Sequence, residues 1–184
     1  MRVLVAAGAA EVEAIESFRY EIYVAEMGKP LDEADHDRRR LADAADAGAR
    51  LLFVPHGGAV VGTMRLHLGN APAALLLRLQ HRDHQVDARL VGTVSKTMVA
   101  AGRRGTMAFA AMAQRAYREF AAAGMSHVML HCRPMLVPLY ERLGFAPSGA
   151  QFECAAVGTQ VCMVLAVAKA PEILRRGALI ARAA

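Results

Sequence analysis

A chain of 184 residues, 55% hydrophobic and 21% charged, can build a core of real size and is too apolar to be a disordered polar segment. Its net charge of +5 suits an anionic phosphate-bearing ligand or an acidic protein; the basic residues are scattered and aromatics make up only 5% with no Trp, so nucleic acid is the weaker partner. Three cysteines without a C-x-x-C pair indicate neither a disulfide framework nor a metal cage, and no apolar run approaches the length of a membrane span, so one cytoplasmic domain over 1–184 without metal is expected.

The opening MRVLVAAGAAEVEA reads as a strand over 2–6 rather than a secretory leader, because acidic residues and an amphipathic helix follow at once. That helix covers 10–27, with Val12, Ile15, Phe18 and Ile22 on its apolar stripe, and stops at Gly28, Lys29 and Pro30. Residues 31–50, charged and rich in Asp and Ala, read as a loop with a helical turn. A hairpin follows, with strands over 51–55 and 59–68 around the turn His56-Gly57-Gly58. The stretch 69–89 resists assignment: Leu75, Leu76, Leu77 and Leu79 look helical, while 81–87 looks exposed. Residues 91–99, rich in Val and Thr, form a strand, 102–105 a turn and 106–123 an alanine-rich helix closed by Gly124.

SHVMLHCRPMLVPLYERLGF is the most telling stretch. A buried strand over 127–133 runs into a short helix on which Leu136, Leu139, Tyr140 and Leu143 share one face, with Gly144 as its left-handed cap and Phe145 as the apolar contact after it. A last hairpin, 151–157 with 160–168, and a terminal helical extension over 171–184 complete the order, which implies an α/β fold with a mixed sheet and helices on both faces.

Four constellations could carry chemistry. Tyr140, on a buried helix face beside a strand end, is placed to protonate a departing thiolate, and the same spacing suits a core tyrosine whose hydroxyl finds a carbonyl. Alternation in the strand 59–68 puts Thr63, Arg65 and His67 opposite the apolar Met64 and Leu66, as an acceptor wall or as a solvated sheet face. Arg19 lies four residues after Ile15 and edges into the buried stripe; two arginines near a core need anions, which Asp43 and Asp46 can supply. The turn Gly102-Arg103-Arg104-Gly105-Thr106, between a strand ending at Val99 and a helix start, has the physics of a phosphate site. Cys132 reads as a packed thiol rather than an acyl-enzyme nucleophile, and the base is a backbone carbonyl with water, His67 or His131.

These residues and their order resemble the GNAT (acyl-CoA N-acyltransferase) superfamily over roughly the first 165 residues, through the LYERLGF ending and the Arg104-Gly105 pair of its pyrophosphate loop. Arg19 in FRYEIY, Asp43 with Asp46, and Arg65 in GTMRL are similar to the pattern of the acyl-homoserine-lactone synthases and the N-acyl amino acid synthases. The resemblance implies an N-acyltransferase that moves an acyl group from a pantetheine thioester, on CoA or acyl carrier protein, to a small amine or amino acid. It implies Tyr140 as the catalytic acid, Val99, Arg103, Arg104, Gly105 and Thr106 around the donor, and Arg19, Asp43, Asp46, Arg65 and His67 around the acceptor. Two departures stand out. Thr93 and Lys96 occupy positions where the lactone-forming relatives are expected to carry an acid and an arginine, which argues against lactone formation. Met107 and Phe109 replace small residues of the loop, which argues for a donor with a single phosphopantetheine phosphate. The rival readings are a CoA-dependent N-acetyltransferase and a non-catalytic module that binds acyl thioesters or nucleic acid.

Overall fold

The computed structural model describes residues 1–69, 86–104, 107–154 and 157–176. The leucines at 75–79, Gly105, Thr106 and most of the expected terminal helix therefore lie outside the described residues. The chain forms two compact units, Met1–Arg65 with Lys96–Ala113, and Leu66–Ser95 with Gln114–Ala184.

In the first unit, β1 (Leu4–Val5) pairs antiparallel with β4 (Arg50–His56), Leu4 opposite Phe53. Strand β5 (Ala59–His67) follows β4 through the two-residue turn Gly57-Gly58, both at positive φ (57° and 79°), the geometry whose twist matches a right-handed hairpin. The last residues of β6 (Val91–Val99) lie beside β5. Helix α1 (Ala9–Tyr20) starts where the Glu11 carboxylate accepts from the Ala7 and Gly8 N–H groups, and its Ile15 packs with Leu51 and Phe53. Its expected continuation to residue 27 is not α-helical: Glu21–Glu26 winds as a π-helix, with the Met27 N–H donating to the Ile22 carbonyl, and ends at Gly28 (φ 61°). Phe18, Ile22 and Met98 bury together, and Tyr23 packs on them.

The expected loop over 31–50 contains a second, two-stranded sheet, β2 (Ala34–Asp35) with β3 (Arg40–Leu41). Arg40 reaches Glu13 at 2.9 Å and Glu16 at 3.5 Å on α1, Arg39 pairs with Glu21 at 2.9 Å, and Leu41 is buried. Those partners are distant in sequence, so local charge density reads as loop where the ion pairs hold a hairpin. A 3-10 turn, Ala44–Asp46, follows, capped by the Asp43 carboxylate accepting from the Ala45 N–H at 2.9 Å.

In the second unit the sheet is mixed. The start of β6 runs parallel to β7 (His127–Cys132), with Val91 opposite His127; β7 pairs antiparallel with β9 (Gly158–Ala166), and β9 with β8 (Ala146–Cys154). Strand β8 begins five residues before the expected 151, with a bulge between Pro147 and Gln151. Val91 and Met129 form a buried cluster joined by Val86 and Val164. Helix α2 (Met107–Ala122) contributes Phe120, whose ring lies where a Cβ on Gly92 would stand, at 2.3 Å. The fold is thus α/β with a mixed sheet and helices, as expected.

Candidate active site

Helix α3 (Val137–Arg142) is preceded by a 3-10 turn, Pro134–Leu136, which rotates the expected apolar face. Tyr140 and Leu143 are buried, but Leu139 turns outward at 37% exposure. The helix closes as a Schellman motif: the Phe145 N–H donates to the Tyr140 carbonyl, the Gly144 N–H to that of Glu141, and Gly144 sits at φ 86°. Phe145 meets the Tyr140 ring edge-on at 5.9 Å. The cap therefore fixes the ring of the tyrosine that the helix presents. Cys132, at the end of β7, is buried, and burial with the nearby Cys162 pushes its thiol up to about 11. It is a protonated, packed thiol and a poor nucleophile.

The first unit brings four of the five expected acceptor residues into one ionic cluster. Arg19 is fully buried, and its two terminal nitrogens reach the two oxygens of Asp46 at 2.5 and 3.1 Å. Arg65 Nη1 lies 2.8 Å from Asp43 Oδ2 and 3.3 Å from Asp46 Oδ1. Helix α1, strand β5 and the 3-10 turn each contribute, and the turn delivers both carboxylates because Asp43 is also its cap. Burial by itself would raise the Asp43 carboxyl; the Ala45 N–H, Lys96 and Arg65 outweigh it and hold the group at about 2. Asp43 is therefore a carboxylate at neutral pH and too weak a base to take an ammonium proton.

Sequence reasoning missed two members. Lys96 Nζ lies 3.1 Å from Asp43 Oδ2, and its backbone sits at φ 50°, left-handed and uncommon for a residue with a side chain. Tyr23, on the π-helical segment, has the Lys29 ammonium 3.9 Å and the Lys96 ammonium 5.3 Å from its ring centre; burial raises its phenol, against the pull of Arg19 and Arg65. A lysine in the middle of a Val/Thr strand was the only available signal.

His67, the fifth acceptor residue, belongs to the second unit, where its Nδ1 lies 3.4 Å from the Thr93 hydroxyl. Thr63, beside Arg65 on the strand, is fully buried and donates to the Leu52 carbonyl at 3.1 Å, so it is structural rather than part of an open wall. At the donor loop, Arg103 contacts His56 Nε2 at 2.5 Å, and Arg104 donates to the Val99 carbonyl at 3.2 Å and pairs with Glu26. Gly105 and Thr106, the rest of the expected loop, lie outside the described residues. Among the described residues no cluster of His, Cys, Asp and Glu could hold a metal ion, and no helix is long and apolar enough to cross a membrane.

The mixed sheet, the strand running into a capped tyrosine helix and the buried arginine-aspartate cluster define a GNAT-like N-acyltransferase, which places an acyl group on an amine. The chain belongs to the family of the N-acyl amino acid synthase FeeM, whose model matches residues 14–167. Its fold is shared with the CoA-dependent acyl-homoserine lactone synthase MesI (TM-score 0.74, 16% identity, 99% of this chain and 97% of that chain). TofI, solved in a ternary complex with an inhibitor and MTA, also matches (TM-score 0.73, 17% identity, 95% of this chain and 97% of that chain). FeeM itself, an N-acyl amino acid synthase from uncultured soil microbes, matches at TM-score 0.68 and 13% identity, over 92% of this chain and 97% of that chain. No curated protein is similar to this chain in sequence.

Proposed function

We propose that the acceptor is a free amino acid read by the cluster of Arg19, Asp43, Asp46, Arg65 and Lys96, and that the donor is an acyl thioester of acyl carrier protein. The observation that carries this reading is the convergence of Arg65, Asp43 and Asp46 within 3.3 Å at a site that Lys96 and Asp43 leave about one-fifth exposed. Such a site offers cations to a carboxylate and carboxylates to an ammonium, which is the charge pattern of an amino acid. Arg19 is spent on Asp46 and serves to orient it, so Arg65 and its neighbours meet the acceptor. The amine, once deprotonated, attacks the thioester carbonyl. A C–N bond forms, the C–S bond breaks, and Tyr140 gives its proton to the leaving sulfur. His67, held by Thr93, is the base in this reading, because Asp43 is too acidic for the task.

Arg103 and Arg104, with the Val99 strand end and the loop through Gly105 and Thr106, would take the donor's phosphate. Acyl-CoA is the second reading for the donor, supported by the fold shared with CoA-dependent MesI. One screen tests both: acyl-CoA and acyl carrier protein thioesters of equal chain length against the twenty amino acids and their decarboxylated amines, with product measured by mass spectrometry. Turnover confined to the carrier-protein thioester and to amino acids is the expected result. Turnover with CoA alone would replace the donor, and equal rates with the decarboxylated amines would remove the amino acid.

A further inference from the structure

Arg104 stands just past the end of β6, and two elements hold its side chain. Its Nε donates to the Val99 carbonyl at 3.2 Å, and its Nη2 pairs with the carboxylate of Glu26. Two anchors of this kind fix both the position and the plane of the guanidinium. The fork carries five N–H donors, more than these two partners take up, and the side chain is half exposed. It is therefore aimed, and still has donors to offer a ligand. Glu26 is in turn delivered by a packed element. It is the last residue of the π-helical segment, whose Ile22 buries with Met98 of β6 while Tyr23 and Ala100 pack on the same cluster. The Ala100 N–H donates to the Val61 carbonyl at 3.0 Å, which ties the start of the turn before Arg104 to β5. An ion pair this exposed contributes little to folding. What it supplies is the direction in which Arg104 points.

We infer that Glu26 is a positioning residue for the donor: it holds the Arg104 guanidinium ready for the donor's phosphate. This deepens the reading of the loop as the phosphate site and rests on it. An untethered arginine on a surface turn samples many rotamers, and phosphate binding has to freeze them; the anchored side chain has lost that freedom beforehand. The Glu26 carboxylate also repels a phosphate. Across a solvent-exposed pair that repulsion is screened, so the orienting effect prevails.

The test uses acyl-phosphopantetheine and acyl-pantetheine of one chain length with the best acceptor from the screen. It reads the ratio of their KM values, without phosphate over with phosphate; Ki against the best donor stands in where turnover is too slow. In wild type the ratio should be about ten or more, the worth of a charge-assisted contact. Arg104→Ala should lose most of it. Glu26→Ala should lower it roughly threefold to tenfold, since the freed arginine must then be ordered on binding. Glu26→Gln, which keeps an oxygen to accept from Nη2, should retain most of the ratio. Adding Glu26→Ala to Arg104→Ala should change nothing further, because a positioning residue acts only through its partner. An undiminished or larger ratio in Glu26→Ala, including the case where both KM values rise together, would overturn the inference and leave Arg104 as the phosphate ligand. A further drop in the double variant would overturn it too. A ratio of one in wild type, or a full ratio in Arg104→Ala, would instead remove the phosphate reading of the loop and the inference with it.

Discussion

In the proposed reaction Tyr140 gives up a proton, whereas Asp43 keeps none to give. The Tyr140 ring is gripped by Phe145 and by the cap of its own helix, so Tyr140→Phe deletes a hydroxyl without loosening the packing. Turnover should fall about a hundredfold with the donor KM nearly unchanged, measured by steady-state kinetics on a variant with a wild-type melting curve. Asp43 is a carboxylate at neutral pH. Its pKa is depressed from 3.8 to about 2 in the folded chain, so its contribution to stability is complete above the unfolded value and is lost as pH falls from about 4 through about 2. Urea melts across that window should show stability dropping toward acid, and Asp43→Asn should flatten that part of the profile while lowering stability at neutral pH, because Arg65 and Lys96 lose their shared partner.

Elements position these residues through close approaches that leave no room for a side chain. Gly92 in β6 lies under Phe120 of α2, where a Cβ would stand 2.3 Å from the ring. Gly92→Ala should cost about 1–3 kcal/mol by overpacking, read from denaturant melts. Gly144 closes α3 at φ 86°, and a Cβ there would meet Pro171 Cδ at 2.5 Å. The cap after Tyr140 was legible because the LYERLGF ending carries its own signal: an apolar stripe, a glycine and an apolar residue after it. The π-helical turn at Glu21–Glu26 was not. Nothing in EIYVAE distinguishes a wide turn from an α-helical one, and the difference is decided by where Tyr23, Phe18 and Ile22 must pack. The small sheet β2–β3 escaped for the same reason, since Arg40 finds its carboxylate on α1 and Arg39 on the π-helical segment, 18 to 27 residues earlier in the chain.

At the scale of the whole molecule the surplus of five positive charges favours an acidic partner such as a carrier protein. If the donor arrives on acyl carrier protein, raising the salt from 50 to 500 mM should increase its KM roughly three- to tenfold, while the KM of the same acyl group on free pantetheine stays flat. Equal salt responses would remove the electrostatic docking. The α/β class, the order of the main strands and helices and the tyrosine helix were legible in the sequence, because periodicity and caps are local constraints; that Asp43 and Asp46 could supply anions for Arg19 and Arg65 was legible only as a need of buried cations. The tertiary structure alone decided which arginine is spent on which carboxylate and that Thr63 is structural. It also decided that Lys96, a departure from the expected pattern, belongs to the cluster. Ion pairing depends on distances between elements far apart in the chain, and on a left-handed backbone turn in β6 that no lysine announces in advance.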